Sequence, residues 1–429
     1  MRRFGILFFG LLAGCATSPP VRTALQGNLA QLKQDIASAQ REHRLDHGAV
    51  VKLAQAIGER EVMSATGSDG AERVRTLRPC ARRLRSAIER RADTGDDVAA
   101  ELTLILVEAH AEGRDQAARR YAQSSSGAWR AVAARALVKP AQTEQRRRFF
   151  NDPDERVRRA AFTAARDAHE PSELDALLES ARLDPDPESK TLAAAAAGAI
   201  GGERAVLALK DVWTQADDSA RMGIVDAWAE HNSIIAGGDR ELAIAAESAG
   251  GLAPVSASLA LARAGGPEAA PANARLRRYI ADGSDDEKRL ALSSAPLDDE
   301  NAAALEEASK KASPELRAVA LARLSNEPAH RTAAILALRA LANQKISSDA
   351  ERHARDAAVN ALAQAGDVSV RATLVKNLSD KDRWARKQAA DGLAALDDYS
   401  DAATVLGDDD ASLRSDLACT ILAREPRGY

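Results

Sequence analysis

Aromatic residues are scarce in this chain of 429 residues, which has four Trp, four Tyr and six Phe. Strands favour aromatic and β-branched side chains, whereas this sequence is dominated by Ala and other strong helix formers. The scarcity disfavours a β-sandwich or barrel, and it disfavours aromatic platforms for sugars or stacked bases. Gly and Pro, at 26 and 15, are near or below ordinary usage, and no Pro- or Ser-rich linker divides the middle of the chain. We expect an almost wholly helical protein, built as a repeat or as several abutting domains.

The familiar catalytic signatures are also missing. The sequence has no G-x-S-x-G, H-E-x-x-H, C-x-x-C or P-loop motif, and no dinucleotide fingerprint on a strand. His43 and His47 are four residues apart beside Glu42 and Asp46, but a third metal ligand is not evident, and solvated residues at a helix end account for the pattern. We therefore expect no enzyme activity, no cofactor and no metal site.

Residues 1–14 form an export signal in this interpretation. Arg2 and Arg3 precede an apolar run over residues 4–12, which is about half of the ~20 residues needed to span a bilayer as a helix. The end of the run, Leu12-Ala13-Gly14-Cys15, resembles the lipobox of bacterial lipoproteins. The alternative is an ordinary cleavable signal with an incidental cysteine.

The lipobox resemblance implies that Cys15 is lipidated and becomes the new amino terminus. Several acyl chains on one residue give stable anchoring to a membrane. Residues 15–21 would then be a short lipidated tether. Ala16 and Thr17, which follow the cysteine, favour sorting to the outer membrane, with the protein facing the periplasm.

A repeat runs through most of the remaining chain. Several segments share a capping residue, a short acidic stretch, an apolar residue beside Arg and an Ala-rich run. Met222 and Ser256 break the basic pattern and are placed by spacing alone. Each unit is long enough for two helices of about 10 to 13 residues, with an N-cap signal such as Ser284-Asp285-Asp286-Glu287 before the second. The aligned positions, about 32 residues apart on average, are Arg130, Arg158, Lys190, Met222, Ser256, Arg289, Arg317, Arg355, Arg386 and Arg414.

This pattern resembles the HEAT-repeat family, in particular short bacterial HEAT-like repeats. The resemblance implies an all-α fold: an α-solenoid of about ten helix pairs over residues 124–429, roughly 100 Å long at 8 to 10 Å between helices. Residues 22–123 would be an N-terminal helical module, either a cap or divergent helix pairs. The resemblance also implies a structural ladder of hydrogen bonds between adjacent repeats, whose members are Asp152, Arg158, Arg289, Arg317, Arg355, Asp380, Arg386 and Arg414.

Two cysteines remain after Cys15, and an oxidising envelope would permit a disulfide between them. In an extended array, however, Cys80 and Cys419 lie near opposite ends and cannot approach to the ~6 Å between Cα atoms that a disulfide requires. We expect both to be separate small core residues.

Basic residues are concentrated between residues 114 and 166, a segment that contains 13 Lys and Arg but only five Asp and Glu. The run Arg146-Arg147-Arg148 is the candidate partner-binding surface, for an anionic envelope partner, and solvated helix faces are the alternative. An exposed Trp on a concave face would also be a plausible binding hot spot. Export and the few aromatics argue against nucleic acid as a partner.

These observations lead to one expected function and two alternatives. We expect a non-enzymatic, lipid-anchored scaffold or adaptor that binds another envelope protein through its helical surface. The first alternative is a lyase-like or other enzyme that uses the concave groove. The second is a structural envelope protein that self-associates through opposed basic and acidic halves.

Overall fold

The computed structural model describes residues 18–109, 113–248 and 250–424, and every regular element in these ranges is helical. The prediction of an all-α fold is confirmed. Cys15 and the predicted signal at residues 1–14 lie outside the described residues. The α-helices are α1 Pro19–Gln26, α2 Leu29–Arg41, α3 His47–Ser64, α4 Gly67–Arg75, α5 Arg85–Ala92, α6 Asp97–Ala109, α7 Arg114–Tyr121, α8 Gly127–Ala136, α9 Thr143–Arg148, α10 Glu155–Ala168, α11 Leu174–Leu183, α12 Pro187–Ile200, α13 Glu203–Trp213, α14 Asp218–Ala229, α15 His231–Ser233, α16 Asp239–Ala246, α17 Ala253–Ala264, α18 Ala269–Asp282, α19 Asp285–Ser294, α20 Asp299–Lys311, α21 Pro314–Leu324, α22 Arg331–Ala342, α23 Asp349–Gln364, α24 Arg371–Asn377, α25 Arg383–Ala395, α26 Tyr399–Ala402 and α27 Ala411–Arg424.

Short turns of other helix types connect several of these helices. The 3₁₀ turns are Arg78–Cys80, Pro140–Gln142, Phe149–Asn151, Pro171–Glu173, Val368–Val370 and Ala403–Gly407, and Ile234–Gly238 is a π turn.

Side-chain caps fix where many helices begin. The Ser284 hydroxyl accepts from the Glu287 amide while Glu287 reaches back to the Ser284 amide, so the predicted capping box is present. Each such cap satisfies backbone donors that a helix start leaves unpaired. Asp side chains accept from amides two or three residues on at other starts: Asp46, Asp154, Asp186, Asp217, Asp298 and Asp382.

The helices form two layers. Each of the ten aligned repeat positions falls on one helix of the same layer, including the two positions placed by spacing alone. Helices of this layer pack on their neighbours from unit to unit, whereas the other helices pack chiefly against this layer. In a curved two-layer stack the layer at smaller radius has the closer neighbours, so we name it the inner layer: α8, α10, α12, α14, α17, α19, α21, α23, α25 and α27.

The stack closes on itself. The last helix, α27, packs against α3, and α2 packs against the turn Ala403–Gly407. The two clusters of buried apolar side chains both draw on α6 and α17, so the core is continuous around the whole circuit. The expectation of an extended array with distant ends is therefore wrong: the described chain is a closed ring of helix pairs.

A disulfide joins the two ends. Cys80 and Cys419 are bonded with their Cα atoms 5.1 Å apart, across a sequence separation of 339 residues. The expectation of two separate core cysteines is wrong because it assumed an open array. Both cysteines are nevertheless buried, at 1% and 2% exposure.

The N-terminal module continues the ring rather than standing apart from it. Helix α6 packs on α8 as other inner neighbours do, and the core around Trp129 includes residues on both sides of position 123. Helix α1 begins at Pro19, inside the predicted tether, and buries Pro20 and Val21 while packing on α3. None of the described helices has the length and apolar character to cross a membrane.

Candidate interaction groove on the inner layer

The repeat arginines form a ladder of rungs at four places, and three of these rungs share one bidentate geometry. Arg130 donates to both carboxylate oxygens of Asp152 in the next unit at 2.8 Å, and to the carbonyl of Ser124 in its own unit at 3.0 Å. Arg158 does the same with Asp184. Bidentate pairs of this kind are strong and directional, so each rung fixes one unit on the next. Three rungs are bidentate, Arg130–Asp152, Arg158–Asp184 and Arg386–Asp408, and Arg414 forms a fourth rung through one bond to one oxygen of Glu61.

The side-chain bonds of the ladder join adjacent units, and each arginine bonds its own unit through backbone carbonyls. Asp152 accepts from Arg130, not from the Arg158 side chain of its own unit, which instead bonds the Asp152 carbonyl at 2.9 Å. Asp380 likewise offers its carbonyl to Arg386, and its carboxylate accepts from the Asp382 amide. Arg130, Arg158 and Arg386 therefore each bond a carbonyl in the loop of their own unit and a carboxylate in the loop of the next unit.

Three predicted members of the ladder do not form these rungs. Arg289 pairs with Glu315 at 3.2 Å, Arg355 pairs with Asp356 beside it on α23, and Arg317 donates to the Ser309 carbonyl at 3.0 Å. In the unit after Arg289, the position of the ladder acid is occupied by Lys311. The aligned positions of α12, α14 and α17 carry Lys190, Met222 and Ser256 rather than Arg. The ladder is thus interrupted from α12 to α23.

The basic run 146–148 is not one exposed surface, and the assignment of Arg146 to partner binding is wrong. Arg146 is fully buried and donates to both oxygens of the buried Glu173 and to the carbonyl of Leu137. Burial raises the pKa of Glu173, and the hydrogen bonds from Arg146 oppose that rise. Arg147 and Arg148 are exposed and line an open groove of about 590 Å³ between α9 and α11.

A second groove lies where the ladder is interrupted. It has a volume of about 450 Å³ and is lined by residues of four consecutive inner units, with no residue from the outer helices. It therefore opens on the side of the inner layer that faces away from the outer helices. We name it the Trp384 groove, and its lining residues are Arg289, Glu315, Val319, His353, Ala357, Asp382 and Trp384.

Trp384 is the largest side chain of this groove. It is 38% exposed, and its ring meets the His353 ring edge-on with centroids 5.4 Å apart. His353 Nδ1 lies 3.5 Å from Glu315, which also pairs with Arg289. A half-exposed Trp held beside charged and polar groups supplies apolar area with directional contacts around it, which is typical of interaction hot spots.

The other tryptophans are largely taken up by packing. Trp129 stacks on Tyr121 and donates to the Gly95 carbonyl at 2.8 Å. Trp228 is buried against Trp213 and donates to the Val206 carbonyl. Trp384 is thus the half-exposed Trp of the inner layer, and residue type alone does not distinguish it from the packed tryptophans.

His43 and His47 do not extend to a larger cluster. His47, at the start of α3, meets the Tyr399 ring edge-on at 4.7 Å, while His43 has a positive φ of 52° after α2. Within the ranges that the structure describes, no three His, Cys, Asp or Glu side chains are grouped to hold a metal ion.

Acid is expected to destabilise the ring through its carboxylates. Hydrogen bonds from Arg339 lower the pKa of Asp367 to about 2, and Arg159 lowers the pKa of Asp186. A lowered pKa means that the charged form stabilises the fold above the ordinary value near 4, and that this contribution is lost as pH falls from about 4 towards 2. The thermal midpoint should therefore drop over this range. Asp367→Asn, which keeps a side-chain oxygen for the cap, should shrink the drop, and a midpoint unchanged between pH 4 and 2 would contradict the expectation.

Comparisons with known proteins leave the family open. No family model matches the sequence, and no curated protein matches it. The resemblance to HEAT-like repeats and to lipoprotein signals therefore stays a prediction from the residues themselves.

Proposed function

We propose that this protein is a non-enzymatic adaptor of the bacterial cell envelope, anchored by lipid at Cys15 and binding another envelope protein through the Trp384 groove. The proposed location is the outer membrane, on the side that faces the periplasm. The groove carries the proposal, because it combines an exposed Trp with an interrupted ladder on the inner layer.

The disulfide supports the proposed location. Disulfides persist in oxidising compartments such as the bacterial periplasm and are rare in the cytosol. Modification of Cys15 would leave one pair of cysteines, and Cys80–Cys419 is that pair. The proposed export signal and the covalent closure of the ring therefore agree with each other.

The groove has the character of a protein-binding surface. Its walls combine apolar Val319 and Ala357 with the Glu315 and Arg289 charges, and it spans four units rather than forming one deep pocket. Extended surfaces of this kind are what stacked helical repeats present to partners. The exposed Trp would supply the apolar anchor, and the charged residues would orient the partner.

Truncating the Trp is expected to remove partner binding without affecting the fold. The intact lipidated protein would be captured from native envelopes, and co-purifying proteins would be identified by mass spectrometry. Trp384→Ala should lower recovery of the partner at least 10-fold, since a hot-spot truncation costs ~2 kcal/mol or more. Ile235→Ala is the matched control, because Ile235 is an apolar side chain that is 73% exposed in the turn Ile234–Gly238, and it does not line the groove.

Two further arms complete this experiment. A photo-crosslinking residue in place of Ala357, which lines the groove, should capture the same partner. The Cys15→Ser chain tests whether the anchor brings the two proteins together. Equal recovery with Trp384→Ala and wild type, or no partner with the wild type, would contradict the proposal.

A further inference from the structure

The joint between α27 and α3 differs from every other joint of the described ring. Between other neighbouring units the polypeptide itself runs through an outer helix to the next inner helix. At this joint the two sides are separated by more than 300 residues of chain, and the Cys80–Cys419 bond is the covalent link across it. We name this joint the closure.

The noncovalent contacts of the closure resemble those of the other joints, with one rung bond in place of two. Arg414 completes a ladder rung by donating to Glu61 of α3 at 2.9 Å, and Arg73 lies 3.3 Å from the same buried carboxylate. At the rim, Lys33 pairs with Asp409 and the Gln40 amide donates to the Ser400 carbonyl. The N-terminal module thus serves as the next repeat for the last one.

Chain connection decides how easily such a joint separates. Neighbouring units elsewhere stay close after a fluctuation, because a short connection keeps their effective concentration high. When the disulfide is reduced, α27 and α3 are connected only by the long stretch of chain around the ring. Their effective concentration is therefore lower, and the noncovalent contacts of the closure open more easily than those of other joints. Local opening of this kind is a general property of protein segments with a lower local stability.

We propose that the Cys80–Cys419 disulfide is a redox lock on the ring, and that its reduction by a dithiol lets the ring open at the closure while the other joints stay packed. A thiolate of the dithiol attacks one sulfur of the pair, forming a mixed disulfide and releasing the other cysteine as a thiolate that takes up a proton. The second thiol of the dithiol then displaces the first cysteine, so the dithiol becomes a disulfide and both cysteines end as thiols.

Opening at this joint has a direct consequence for the inner layer. Helix α25, which carries Trp384, packs directly on α27. If α27 separates from α3, a partner can approach the inner layer through the gap between them, next to the Trp384 groove. This inference stands on the closure alone and does not depend on what the groove binds.

Because the two sulfurs are buried, the rate of disulfide reduction measures how often the closure opens. Cys80 and Cys419 are 1% and 2% exposed, so a dithiol can attack only when the closure moves apart. Weakening the closure should therefore speed reduction by dithiothreitol, followed by labelling of the new thiols. Arg414→Gln removes the rung to Glu61 and should speed reduction at least 10-fold.

Arg158→Gln is the matched control for that variant. Arg158 also joins its own unit to a carboxylate of the next unit, Asp184, and it lies on α10, whose main packing partners are α8 and α12 rather than α3 or α27. It should change the reduction rate less than 2-fold. Equal acceleration by both variants would show that the disulfide is reached by general unfolding, and would overturn the proposal.

Hydrogen exchange on the unmutated protein provides a test that does not depend on variants. After reduction, amides of α2, α3 and α27 should lose protection at least 10-fold, while those of α10, α12 and α14 change less than 2-fold. Unchanged protection at the closure, or an equal loss all around the ring, would overturn the proposal.

Discussion

Replacing Arg146 by methionine is expected to cost about 3–5 kcal/mol of local stability, because it leaves Glu173 buried without its partner. Both side chains of the pair are fully buried, with Nε to Oε1 at 2.9 Å and Nη2 to Oε2 at 2.7 Å. The third donor of Arg146 is bonded to the Leu137 carbonyl at 2.6 Å. This one guanidinium therefore joins the end of α8, helix α9 and the turn before α11.

Native-state hydrogen exchange of amides in α9, α10 and α11 measures this loss where it occurs. Arg147→Met is the control, since Arg147 is exposed one position along the same helix and should change stability by no more than about 0.5 kcal/mol. Adding Glu173→Met to the Arg146 variant should recover part of the loss, because no charge is then left unpaired. An Arg146→Met protein as stable as Arg147→Met would contradict the assignment.

Helical geometry explains why the sequence did not separate Arg146 from its neighbours. Three consecutive helical residues point in directions about 100° apart, so a run of three arginines on α9 cannot share one face. The sequence shows only a run of basic residues. Which arginine is buried depends on which side of α9 packs against α11. The acidic residue that would have marked the buried position, Glu173, lies 27 residues away.

Repeat alignment predicted the helices of the inner layer well, because capping signals and spacing are local properties. The repeat alignment also carries a signal for the groove. Residues one position before the repeat arginine, such as Trp129, Val157 and Ala385, are buried, whereas several residues two positions before it are exposed. Trp384 stands at the second offset, and Trp129 stands at the first. The offset, rather than the residue type, separates a packing Trp from a surface Trp.

The closure could not be predicted from any one unit. Curvature accumulates from small rotations between units, and the sum decides whether the ends meet. One signal was nevertheless present in α27. Helix α27 buries Leu413, Leu417, Ile421 and Leu422, which lie on more than one side of the helix. Apolar residues on more than one side of a helix indicate that more than one neighbouring helix covers it.

Gly198→Ala is expected to destabilise the ring by about 2–3 kcal/mol, although alanine is the better helix former by ~1 kcal/mol. Helices α12 and α14 pack with glycines at their contact. A Cβ at Gly198 would lie 2.4 Å from the Ala227 Cα and 2.5 Å from its carbonyl oxygen. A change of side-chain rotamer cannot relieve a clash with backbone, so the two helices must move apart. That movement would strain the units on either side, because the ring is closed.

Gly48→Ala provides the same chemical change with the opposite expected sign. Gly48 lies in the first turn of α3, and the nearest atom to its Cβ would be an Asp46 carboxylate oxygen at 3.7 Å. With no clash, the reduced freedom of the unfolded chain and the better helix propensity should stabilise by about 0.5–1 kcal/mol. Thermal unfolding of both variants beside wild type measures the contrast. Equal shifts for the two glycines would mean that the α12–α14 contact at Gly198 is not tight.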